Sequence, residues 1–134
     1  MEEKHVVTCF LISNNEILIL RRSEQVGSYR GSWAGVSGYV ETTPDEQALT
    51  EIAEETGLLA SEVHLVTKGE PLEVPDEGLG IRWIVHPYLF HVDERNNIRI
   101  DWEHVESQWI KPLDLKNYHT VPNLEEALQR VWSR

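Results

Sequence analysis

The segment from Thr43 to Gly57 constrains the chain most, because it carries both the start and the stop of one helix. Thr43 suits the N-cap, Pro44 the first helical position, and Glu46 completes a T-x-x-E capping box. Gly57 supplies a left-handed stop, so the residues predict a helix over Pro44 to Thr56. Within it stand Glu51, Glu54 and Glu55. At about 100° per residue these carboxylates share roughly a quarter-turn, and Leu49, Ile52 and Thr56 take the opposite side, toward a core. Like charges at this spacing destabilise a helix by a few tenths of a kcal/mol per pair, and the C-terminal end of the helix dipole opposes them further. A hard divalent cation with oxygen ligands would remove that cost, whereas a solvated acidic face would simply bear it.

The flanks are β-rich. Strands are expected over His5 to Ile12 and Glu16 to Arg22, joined at Asn14-Asn15. After a loop from Ser23 to Gly31 comes a strand or bulge at Trp33 to Val36. Beyond the helix, strands are expected at Val63 to Thr67, Ile81 to Val92, Ile98 to Ile100 and Ser107 to Ile110, with a turn at Asp93 to Asn97. Leu113 to Leu115 reads as a helical turn. A second helix should begin at Asn123, with Leu124, Ala127, Leu128 and Val131 on one buried face. A single α/β domain over residues 1–134 follows, a mixed sheet with helices on both faces.

Composition narrows the function classes. The net charge of -11 lacks the positive field of a nucleic-acid binder. No apolar run reaches the ~18 residues of a membrane span, and no signal peptide is legible. The one cysteine, Cys9, lies in the apolar run VVTCFLI and reads as a small buried side chain in a protein of a reducing, cytoplasmic compartment. His5, His64, His86, His91, His104 and His119 show no metal-ligand spacing and receive no catalytic role. A monomer and a homodimer are both compatible with the acidic surface.

The stretch from Gly38 to Leu58, GYVETTPDEQALTEIAEETGL, resembles the Nudix box. That pattern is a glycine, five residues, a glutamate, seven residues, then R-E-U-x-E-E-x-G-U, with U a bulky aliphatic residue. Glu51, Ile52, Glu54, Glu55, Gly57 and Leu58 all fall in place. Arg21-Arg22 ending a strand and Trp109-Ile110 ahead of Pro112 extend the likeness. The box is two residues short, with Thr42 at the first glutamate and Thr50 at the arginine that orients a catalytic glutamate in the family. A similarly shortened box occurs in archaeal Nudix domains, which this chain resembles.

The resemblance implies a Nudix-type α/β/α sandwich and a pyrophosphohydrolase using Mg²⁺ or Mn²⁺ on a nucleoside diphosphate derivative, a nucleotide sugar or an ADP-ribose-like compound. Pro71 and Pro75 fall near a proline associated with the ADP-ribose-type members. It implies Glu51, Glu54 and Glu55 as metal ligands and catalytic residues, with a backbone carbonyl near Ser37 or Gly38. For the general base Glu106 is favoured over Asp101 and Glu103. Arg22 reads either as a phosphate ligand or as a surface arginine. Trp33, Trp83, Tyr88 and Phe90 are candidates for stacking on a base or for the core, and Trp33, with Arg22 and Gly38, is assigned to the substrate. The competing function is a nucleotide-binding or regulatory module without turnover, favoured by Thr42 and Thr50. An isoprenoid diphosphate isomerase on the same fold needs a cysteine motif that Cys9 lacks.

Overall fold

The computed structural model describes residues 1–133; Arg134, the last residue of the expected domain, lies outside them. Eight strands form one mixed sheet: β1 (Glu2–Ser13), β2 (Glu16–Arg22), β3 (Trp33–Ala34), β4 (Val36–Tyr39), β5 (Val63–Lys68), β6 (Leu72–Asp76), β7 (Ile81–Val92) and β8 (His104–Ile110). Helices α1 (Pro44–Thr56) and α2 (Leu124–Gln129) complete it, with short 3-10 segments between. None of the described helices is long and apolar enough to cross a membrane.

β1 lies at the centre. It runs parallel to β7, from Glu2 opposite Ile81 to Ile12 opposite His91, and antiparallel to β2 and β4. Both Asn14 and Asn15 take positive φ, as a two-residue hairpin turn of matching twist requires. β8 pairs with β2, and β5 and β6 each pair with β7.

Alternation along the strands divides the interior in two. Val7, Cys9 and Leu11 of β1, Leu18 and Leu20 of β2, and Tyr88, Phe90 and Val92 of β7 join Ala48 and Ile52 of α1 in one cluster. Phe10, Ile17, Ile19 and Leu89 project oppositely, onto Leu124, Ala127 and Leu128 of α2. The α/β/α layering expected of the chain is therefore present.

Local expectations fared unequally. The bounds of α1, β2 and β7 are those expected, whereas β1 begins three residues earlier, at Glu2, and extends one further, to Ser13. Ile98 to Ile100 form no strand; Ile98 and Ile100 instead pack on the α1-side cluster. β6 was not expected, and Pro75 within it lies in a strand whose partner is β7. Asn123, where the second helix was expected to begin, is the N-cap of α2 and takes the left-handed region without a side-chain hydrogen bond.

Candidate active site

α1 is set by its ends. The Thr43 side chain accepts from the Glu46 amide, and the Gly57 amide at φ 76° donates to the Ala53 carbonyl. The buried arc comprises Gln47, Ala48, Ile52, Glu55 and Thr56. It is rotated toward the carboxylates relative to expectation: Leu49 is exposed and Glu55 is inside. The three glutamates thus meet three environments, with Glu54 exposed, Glu51 half-buried and Glu55 only 2% exposed.

Glu51 lies across β4. A Cβ at Gly38 would stand 2.2 Å from its carboxyl carbon, so only glycine leaves room for it. Gln47 Nε2 donates to Glu51 Oε2 at 2.7 Å, supplying part of the orientation expected of the missing arginine. Burial raises the Glu51 pKa above the ordinary carboxylate value, against that hydrogen bond.

Glu55 is the extreme case. Its Oε2 is buried and has no hydrogen-bond partner. Burial first, then the charges of Glu103 and Glu51, push its pKa up to about 10. Cys9 beneath it is buried as expected, and its thiol is raised by burial and by Glu55 and Glu51. A carboxylate oxygen held dry without a donor is what a cation would satisfy. The donor set therefore fits a hard divalent ion.

The other wall comes from the start of β8. Glu55, Glu103 and His104 bring one donor atom each within 4.8 Å of one another. His104 Nδ1 lies 3.0 Å from Asp101 Oδ1, and its Nε2 lies 3.6 Å from Glu55 Oε1. Burial lowers the His104 pKa, opposed by Asp101. Burial also raises that of Glu103, helped by Asp101.

Glu51, Glu54 and Glu103 open onto a cleft of about 550 Å³ whose lining also includes Arg22, Gly38 and Trp83. Arg22, which lines the cleft, donates from Nε to the Ser28 carbonyl at 2.9 Å. Exposed Tyr39 and Trp102 stand on the rim, Tyr39 6.0 Å from Trp83 between ring centroids.

Several expected site residues are elsewhere. Glu106 is ion-paired with Arg21 at 3.2 Å across the β2–β8 ladder and does not line the cleft. Trp33 packs on the α2-side cluster, edge-on to Tyr118. Tyr88 and Phe90 are stacked in the α1-side core. His104 enters the carboxylate cluster although no metal-ligand spacing along the chain points to it. Its position beside Glu103 in the run Asp101-Trp102-Glu103-His104 was the available signal.

Solved structures share this arrangement of strands and helices. A MutT protein from Methanosarcina mazei Go1 is similar at 20% identity and TM-score 0.76, over 96% of this chain and 92% of that one. A C. elegans Ap4A hydrolase gives 16% and 0.74, over 97% and 94%. A bifunctional NMN adenylyltransferase/ADP ribose pyrophosphatase from Francisella tularensis gives 21% and 0.77, over 95% of this chain and 40% of that one. The NUDIX domain family model matches residues 3–131, and the chain belongs to that family, the Nudix hydrolases.

Proposed function

We propose that this chain hydrolyses the diphosphate linkage of a nucleoside diphosphate derivative, a nucleotide sugar or an ADP-ribose-like compound, with Mg²⁺ or Mn²⁺ bound. The observation that carries the reading is Glu55, a carboxylate kept dry with one oxygen unpartnered beside Glu51, Glu54 and Glu103. Glu51, Glu54 and Glu55 are the residues that would hold the ion. When bound, such an ion neutralises phosphate charge and acidifies a water.

The chain's own groups do the rest. Gly38 lets the Glu51 carboxylate lie flat against β4, and Gln47 fixes one of its oxygens. Arg22 presents a planar fork to a phosphate at the cleft wall. Glu103, at the cleft and raised by burial, takes the proton of the attacking water; Glu106 is engaged by Arg21 instead. Trp83 and Tyr39 offer π-faces to a base or a sugar. The names of two structural neighbours, an Ap4A hydrolase and an ADP ribose pyrophosphatase, support a nucleoside-bearing phosphoanhydride as the substrate class.

A binding module without turnover is the second reading, and Thr50 favours it by removing the orienting arginine. The two part on one experiment. With Mg²⁺ or Mn²⁺ present, products are measured across nucleotide sugars, dinucleoside polyphosphates, ADP-ribose and nucleoside triphosphates. Turnover of at least one diphosphate-linked compound is expected. Glu54→Gln should lower its kcat by at least about a thousandfold, about 4 kcal/mol of transition-state stabilisation. Binding without turnover by the wild type overturns the hydrolytic reading.

A further inference from the structure

His104 opens β8 with a side chain that is only 1% exposed. Its Nδ1 faces Asp101 Oδ1 at 3.0 Å. An ionised carboxylate can only accept, so Nδ1 carries the proton and donates. The other ring nitrogen, Nε2, is left with a lone pair. That lone pair faces Glu55 Oε1 across 3.6 Å, too far for a hydrogen bond. The second Glu55 oxygen has no partner at all.

Once Glu55 is ionised, as a metal ligand must be, the two acceptors face each other in a dry place and repel unless something electrophilic stands between them. A single ion about 2.1 Å from a nitrogen and from an oxygen spans a donor separation of this order. The Asp101 hydrogen bond is also the support a ligating imidazole usually has: it fixes the tautomer and raises the basicity of the other nitrogen.

We propose that His104 Nε2 is a nitrogen ligand of the cation site, alongside Glu55, and that it turns the preference of the site from Mg²⁺ toward transition ions. The inference rests on the metal-dependent reading above and deepens it by naming the class of ion. Mg²⁺ takes oxygen donors and parts with its waters reluctantly, whereas Co²⁺ and Zn²⁺ accept imidazole readily.

Calorimetric titration of the metal-free protein with Mg²⁺ and with Co²⁺ tests it, in the wild type and in His104→Gln. The substitution should weaken Co²⁺ binding by about 10- to 100-fold. Mg²⁺ binding should change by no more than about threefold, since its oxygen donors remain. An equal loss for both ions would make His104 a mere support for Glu55, and no loss for either would leave it without a part; each result overturns the proposal. A second measurement needs no variant: the ¹⁵N resonance of His104 Nε2 in the wild type should move on addition of one equivalent of Zn²⁺, with Nδ1 still protonated. An unmoved Nε2 overturns the proposal. If Mg²⁺ still binds in that case, only the nitrogen ligand is lost and the hydrolase reading stands. If no divalent ion binds, both fall together.

Discussion

The two faces of the sheet are built to different rules. On the α2 side Leu124, Ala127 and Leu128 close over Phe10, Ile17, Ile19 and Leu89, and the cluster is apolar throughout. On the α1 side Ala48 and Ile52 perform the same closure, but the next turn of the helix puts Glu55 inside with them. The first face is organised for stability alone. The second encloses an ionisable carboxyl where water cannot reach it, at a cost in stability once the group ionises, and perturbed groups of that kind cluster at functional sites.

Substitutions on the two faces should therefore separate stability from activity. The largest effect is expected from Leu128→Ala, which empties a buried position at α2. It should cost about 2 to 5 kcal/mol in denaturant unfolding. The affinity for divalent ions and the kcat of the folded fraction should stay as they were; a change in either would mean that the faces are coupled. Gly38→Ala does the reverse. Its methyl group meets the end of a flexible side chain, so the fold survives while Glu51 is displaced. Turnover should fall by about 10- to 100-fold, about 1.4 to 2.7 kcal/mol, with unfolding little changed.

Glu55→Gln tests the cost itself. The carboxyl group titrates at about 10 in the fold against an ordinary value of 4.5. Its contribution to the metal-free protein is thus fully present below pH 4.5 and is lost as pH rises toward 10. In chelator the neutral amide should raise the melting temperature by a few degrees at neutral pH, with a gain that widens from acid to alkaline solution. Equal melting of variant and wild type at pH 8 would refute a stored cost. The smallest effect belongs to Asp45, at the exposed start of α1, held below its ordinary value chiefly by the Lys68 ammonium and then by the Tyr88 hydroxyl. Asp45→Asn should lose less than about 1 kcal/mol. That difference is present above pH 3.8 and disappears as acid protonates Asp45, which acid titration of the unfolding midpoint would register.

What could be read beforehand divides along the same line. α1 was legible to the residue because Thr43, Pro44 and Gly57 encode its ends locally. β2 and β7 were legible from their apolar runs. β6 was hidden because Leu72 to Asp76 contains a proline and owes its strand conformation to β7. The helical wheel gave the angles among Glu51, Glu54 and Glu55 but not the direction of the sheet. Leu49 was consequently placed inside and Glu55 outside, the reverse of the fold. His104 and Glu55 lie far apart in the chain, and no local spacing announces a meeting made by β8 on β2.

The parallel pairing of β1 with β7 has a consequence for synthesis. Residues 2–12 find their neighbours at residues 81–91, so the central seam of the sheet waits for most of the chain to leave the ribosome. Until then the apolar run around Phe10 has a free edge, and Glu55 faces water at no cost. Such distant pairing is slow to form, because a long loop must close before any contact rewards it. The Glu55 cluster is completed later still, because its other wall, Glu103 and His104, follows β7 in the chain and is brought in by β8 pairing with β2.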